Sequence, residues 1–179
     1  MIFFIHLMLV FNLAVFIIGC VFKPINNEKE NTVAAVKLKN NFDEQTRKIQ
    51  TLIATNANIN AQDDFGITAL MQAAWKGNNE AIKLLLDAGA DVNTQCKYGK
   101  RTALFYAALY DGTPETIQLL LAAGADIHLH SDSETALAAA VRRGKIEVVR
   151  TLIAAGMDVN AKPGYGGTAL FWAVNCGYI

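Results

Sequence analysis

Thr68-Ala69-Leu70 decides the fold, because it returns as Thr102-Ala103-Leu104, Thr135-Ala136-Leu137 and Thr168-Ala169-Leu170. The spacings are 34, 33 and 33 residues. A fixed period of this size marks a chain of stacked units, none of which can bury its apolar face alone. Each unit touches mainly its neighbours, which leaves a long open face and no enclosing pocket. That geometry weighs against an enzyme.

The surroundings of the phrase repeat as well. A glycine follows each threonine, at Gly77, Gly112, Gly144 and Gly177. A second glycine opens a turn at Gly89-Ala90-Asp91, Gly124-Ala125-Asp126 and Gly156-Met157-Asp158. Between the two glycines lies an apolar run at helical spacing: Ile82, Leu84, Leu85 and Leu86, then Ile117, Leu119, Leu120 and Leu121. Ile146, Val148, Val149, Leu152 and Ile153 form the third. Each unit therefore reads as a short helix, a glycine break, a longer helix, a second break and an extended turn. Alanines such as Ala69, Ala73 and Ala74 let paired helices approach closely, and Leu and Ile fill the layer between units.

The unit resembles the ankyrin repeat. Asp64-Phe65-Gly66-Ile67-Thr68-Ala69-Leu70-Met71-Gln72-Ala73-Ala74-Trp75-Lys76-Gly77 carries the likeness, continuing to Leu84-Leu85-Leu86-Asp87-Ala88-Gly89-Ala90-Asp91-Val92-Asn93. The resemblance implies an all-α solenoid with short β-turn fingers over residues 32–179. A cap unit at 32–63 precedes full repeats at 64–97, 98–130 and 131–163, and 164–179 supplies a partial repeat. Three departures stand out. The histidine that follows Thr-Pro-Leu in the family is replaced by Met71, Phe105, Ala138 or Phe171, which removes a bridge between neighbouring turns. The second full unit carries one extra residue before Gly112, where loops tolerate length change. The loop before Thr135 is one residue short.

The ends differ. Lys37, Lys39, Glu44, Arg47 and Lys48 make the first unit polar, as an N-terminal cap should be. At the other end Gly177-Tyr178-Ile179 aligns with Gly144-Lys145-Ile146, so the partner helix expected to cover Leu170, Phe171 and Val174 does not follow. This reads as an incomplete last unit. Residues 1–22 are nearly all apolar, interrupted by His6 and Asn12, and belong to no repeat; they read as a targeting segment. Ile17-Ile18-Gly19-Cys20 resembles the lipobox of bacterial lipoproteins, which implies lipidation of Cys20. The absence of Lys or Arg before it argues the other way. An uncleaved signal anchor stays open, since about 20 apolar residues span a bilayer, and so does a cleaved secretion signal. Residues 23–31 then form a polar tether. All three readings place the repeats outside a bacterial cytoplasm, membrane-anchored or periplasmic or extracellular.

Sixteen basic and sixteen acidic residues cancel, so no net field draws the chain to nucleic acid. His128 and His130 lack a third fixed ligand at proper spacing and read as a solvated turn. Gly164-Tyr165-Gly166-Gly167 lacks the lysine of a phosphate loop. Arg142-Arg143-Gly144-Lys145 sits at a helix C-terminus, where cations complement the dipole. Ser131 and Ser133 are turn residues without a placed base. Cys96 and Cys176 lie two units apart, too far to bridge. The expectation is a non-catalytic chain with neither cofactor nor metal.

The resemblance also implies which residues bind. Ankyrin arrays use the finger tips and the exposed ends of the first helices to hold another protein. Here those positions include Tyr98, Arg101 and Tyr165 on fingers, and Trp75, Lys76, Leu109, Tyr110, Arg142 and Arg143 at helix ends. Trp75, Tyr98, Tyr110 and Arg142 form one stripe in this reading, of the residue types that dominate interfaces. Trp75 and Leu109 have packing on the adjacent unit as their alternative, and Tyr106 and Trp172 lean toward packing. The function implied is a monomeric protein-interaction module whose only membrane contact is the leader. The alternatives are an accessory subunit of an envelope complex and a piece of a longer protein with a catalytic domain.

Overall fold

A computed structural model describes residues 44–163 and 167–178. Cys20, the 1–22 leader, the 23–31 tether, Lys37, Lys39 and Tyr165 lie outside them. Helix α1 covers 44–54. Seven more follow: α2 (Ala69–Trp75), α3 (Asn79–Asp87), α4 (Ala103–Leu109), α5 (Pro114–Ala122), α6 (Ala136–Arg142), α7 (Ile146–Ala154) and α8 (Ala169–Asn175). The first helices pack in one row, α2 on α4 on α6 on α8, and the second helices in another, α3 on α5 on α7. Short and long helices pair within each unit, α2 with α3, α4 with α5 and α6 with α7. The described residues form an all-α repeat solenoid without strands.

The repeated phrase has a local cause. Each threonine is the N-cap of its helix, its hydroxyl accepting the N–H three residues on. Thr68 accepts from Met71 at 3.2 Å, Thr102 from Phe105 at 3.3 Å, Thr135 from Ala138 at 3.0 Å and Thr168 from Phe171 at 3.2 Å. A cap of this kind stabilises its helix by about 1 kcal/mol. The leucine of the phrase points into the layer between units: Leu70, Leu104 and Leu137 are buried. Leu170, in the last described helix, is 62% exposed, and Phe171 and Val174 beside it are also exposed. The long helices are capped differently. The Asn78 side chain accepts from Ala81, and Thr113 and Thr116 form a reciprocal capping box behind Pro114. Lys145 holds the equivalent place before α7 and makes no side-chain cap there.

The core runs the length of the stack through Leu70, Ile82, Leu85, Leu104, Phe105, Ile117, Leu120, Leu137 and Leu152. Ala73, Ala74, Ala107, Ala108, Ala139 and Ala140 are fully buried, which lets the short helices sit close. The fingers between units are turns closed by Asp63 N–H to Ile67 O at 3.1 Å, Cys96 N–H to Arg101 O at 3.0 Å and Ser131 N–H to Glu134 O at 3.0 Å. Each finger also bonds to the next, Lys97 N–H to Phe65 O and Asp132 N–H to Gly99 O, both at 3.0 Å.

Consecutive turns after the long helices are tied by asparagine side chains. Asn60 donates to Gly89 O at 3.3 Å and accepts the Asp91 N–H at 2.8 Å. One unit on, Asn93 donates to Gly124 O at 3.0 Å and accepts the Asp126 N–H at 2.8 Å. These side chains tie consecutive turns at the back of the stack. At the third junction His128 stands where Asn would, and among the described residues its ring makes no such pair.

Candidate functional site

The surface of interest is built from the C-terminal ends of the short helices and the fingers beside them. Its centre is an aromatic stack. Trp75 closes α2 and is 42% exposed. Its ring stacks on Tyr110 with centroids 4.5 Å apart and planes at 23°. Tyr106 lies 5.9 Å from Trp75 at 9° and 6.2 Å from Tyr110 at 16°. The Arg143 guanidinium then covers the Tyr110 ring at 5.5 Å. One ladder of Trp, Tyr and Arg thus crosses three units.

The extra residue of the second full unit makes this ladder possible. Helix α4 stops at Leu109, and Tyr110 leaves the helix with φ −117° and ψ −131°, where α2 and α6 end in helical caps. That excursion carries Tyr110 onto Trp75. It also lets the Asp111 N–H bond the Trp75 carbonyl at 3.0 Å. Position 112 then has no room for a side chain, since a Cβ there would collide with the Ala107 carbonyl.

Lys145 fastens the same corner from the next unit. Its ammonium donates to the carbonyls of Ala107, Tyr110 and Gly112, the free acceptors at the C-terminal end of α4. Burial pulls this ammonium from its ordinary 10.5 down to about 8, with Asp111 opposing and Arg143 assisting. The lysine of the basic cluster therefore serves the preceding unit's helix and not its own.

Arg142 is engaged elsewhere. It forms a two-pronged ion pair with Glu134, at 2.7 and 3.2 Å, and covers the Trp172 ring at 5.5 Å. Glu134 is buried and held by the turn around Ser131, whose hydroxyl accepts its N–H at 2.9 Å. The stripe of Trp75, Tyr98, Tyr110 and Arg142 thus splits. Trp75 and Tyr110 meet, Arg143 takes the place given to Arg142, and Tyr98 belongs to a second patch. There it faces Phe65 across a fingertip gap, centroids 6.2 Å apart, both rings strongly exposed.

Leu109 is a correction. It is buried at 4% exposure, because α4 lies between α2 and α6 and both pack on it. Tyr106 is buried too, and its hydroxyl is pushed up to about 12 by burial and then by its bond to Cys96. Cys96 itself organises the second finger, bonding Tyr98 O and the Arg101 N–H through sulfur. Arg101 is half-buried, its guanidinium 5.5 Å from the Phe105 ring centre. Lys76 is exposed and forms no ion pair among the described residues, although its charge reaches Glu44. His130 bonds the Ser131 carbonyl, and no three metal-ligating side chains gather among the described residues. The sequence marks Glu134 as a fingertip residue and Lys145 as part of a basic cluster, but not the Glu134–Arg142 pair or the bonds of Lys145 to the preceding unit; the one signal for the latter is the placement of Lys145 where its unit lacks a capping side chain.

A stack of helical pairs with a continuous apolar core, fingers in register and an aromatic ladder across units defines a repeat scaffold for holding other macromolecules. The model of ankyrin repeats in three copies matches residues 33–131 and 104–179. The chain belongs to the ankyrin repeat family, whose members are in general non-catalytic interaction modules. It is 48% identical over 52 residues, 28% of its length, to ankyrin repeat and SAM domain-containing protein 6 of Rattus norvegicus, covering 6% of that protein. It is 35% identical over 105 residues, 59% of its length, to ankyrin repeat domain-containing protein SAT10 of Stachybotrys chartarum, covering 5% of that protein. A third likeness is to the mitochondrial disaggregase of Homo sapiens, 36% over 80 residues, 45% of this chain and 11% of that one. The chain therefore spans a small fraction of the relatives it matches.

Proposed function

We propose that this chain binds another protein, as a monomer, through the finger row and the short-helix ends, and that residues 1–22 hold it at or carry it across a membrane. The observation that carries the binding half is the half-exposed Trp75, backed by Tyr110 and Arg143. A rigid aromatic with a firm support and an open face supplies contact area at low cost in conformational entropy. The membrane half is supported by the apolar run and by Ile17-Ile18-Gly19-Cys20. Among the described residues no helix is long and apolar enough to cross a membrane. A second reading, that these repeats are the docking part of a longer protein, is favoured by the small share of each relative that the chain covers.

The binding half is tested by capture from an envelope fraction with wild type and Trp75→Ala side by side. A protein held by the first and lost with the second supports it; the same proteins held by both would refute it. The membrane half is tested with Cys20→Ser. Loss of lipid labelling indicates a lipoprotein, and retained membrane association without labelling indicates a signal anchor. A chain that leaves the membrane fraction unlabelled in wild type removes the tether.

A further inference from the structure

We infer that the segment this surface takes is acidic: an extended peptide whose carboxylates meet Lys76, which follows Trp75 in the chain, and Arg143, which covers the Tyr110 ring. The inference rests on the binding reading above and adds the chemistry of the partner.

The chain is neutral overall, yet its charge is sorted. On the finger and helix-end side most carboxylates are already engaged. Asp63 accepts the N–H groups of Phe65 and Ile67 at 2.9 and 2.8 Å. Glu134 is held by Arg142, and Asp132 lies 3.8 Å from Lys100. Four cations on this side have no carboxylate within 4 Å among the described residues: Lys76, Lys97, Arg101 and Arg143. Arg101 has a buried Nε without a partner. Of the remaining acids, Asp64 has no basic partner within 4 Å among the described residues, Asp111 acts on the Lys145 ammonium, and Glu44, paired with Lys48, also feels the charge of Lys76. On the long helices α3, α5 and α7 the balance is reversed, with Glu80, Asp87, Glu115 and Glu147 against Lys83 and Arg150. Lys83 pairs with Glu115 and Arg150 with Glu147, while among the described residues Glu80 and Asp87 have no basic partner within 4 Å. An acidic segment is therefore attracted to the ladder side and repelled from the other. Such complementarity fixes orientation and discriminates among partners.

The ladder favours a peptide over a longer polyanion. Stacking on Trp75 and a guanidinium also suit a nucleobase. Asp64, Asp111 and Asp132, however, interrupt any run of positive charge, and a phosphate backbone presents charge at every step. Neighbouring helices stand about 8–10 Å apart. An extended peptide rises about 3.3 Å per residue, so every third residue or so meets a new unit. Spaced carboxylates match that interval.

The test is selection of twelve-residue random peptides displayed on phage against the full chain. Asp and Glu should enrich at least twofold over the unselected library. The best peptide, made synthetically, should bind at least tenfold more weakly to Lys76→Glu with Arg143→Glu, and more weakly as salt rises. Lys83→Glu on α3 should leave it unchanged. If the double variant melts early, Lys76→Gln and Arg143→Gln singly replace it, each expected to weaken binding severalfold. Neutral or basic peptides that are lost with Trp75→Ala would overturn the acidic partner and leave the binding surface standing. Acidic peptides indifferent to the charge changes would overturn it, as would no enrichment. Tighter binding of a twelve-residue single-stranded DNA than of the best peptide would overturn it in favour of nucleic acid.

Discussion

Gly77 and Gly89 each follow a helix in the left-handed region, at φ +61° and +83°, but they answer to different constraints. Around Gly89 a Cβ would meet nothing within 4 Å. Gly89→Ala should therefore cost only the left-handed strain, about 1–2 kcal/mol. At Gly77 the Cβ would lie 2.5 Å from the Asp111 carbonyl of the next unit. Gly77→Ala should exceed that cost clearly in urea unfolding, because one unit must move off the other. Lys145 offers a second test at this scale. Its folded pKa of about 8 lies below the ordinary 10.5. Between those values the unfolded chain binds more protons, so this group's contribution to stability rises with pH across that window and is least below about 8. Lys145→Met lacks the titration, so the melting temperature of wild type should gain on that of the variant from pH 8 to 10. A gap that narrows instead would show that the ammonium is not shifted downward.

At the scale of elements the third junction stands out. Asn60 and Asn93 each make two bonds across a junction, whereas His128 makes neither. His128→Asn should restore the pair and stabilise the fold by about 1 kcal/mol, the net of one to two partly exposed hydrogen bonds. The gain should appear as slower amide exchange in α7. No change in α7 would show that the turn at Asp158 cannot reach. Helix α8 provides the contrast: it has no buried residue, while Leu120 in α5 is fully buried. Amides of Leu170 to Val174 should exchange faster than those of Leu119 to Leu121. Much of this level was legible from the sequence. The period gave the helices, and the apolar spacing gave which faces meet. What was not legible depends on register across units. The burial of Leu109 follows from packing on both sides of α4. The Trp75–Tyr110 contact follows from where one extra residue leaves the helix. The bonds of Lys145 join residues more than thirty positions apart. No local pattern encodes any of these.

For the whole molecule, the period and the core are the common property of ankyrin arrays, and the individual character lies in what decorates them. An inserted residue turns Tyr110 outward, a lysine from the next unit locks that corner, and an arginine covers the ring. These departures from the repeat converge on one place, which is why the binding surface is assigned there. Trp75→Ala separates that assignment from plain packing. The change removes two stacking contacts of about 0.5–1.5 kcal/mol each, so the melt should show a loss of about 1–3 kcal/mol. The measurement that decides is the affinity of this variant for the protein captured by wild type, taken at a temperature where both are folded. Binding weaker by about 2 kcal/mol or more, roughly thirtyfold, is the predicted result. Unchanged affinity together with a stability loss of about 3–5 kcal/mol would show that Trp75 is packing and that the partner binds elsewhere.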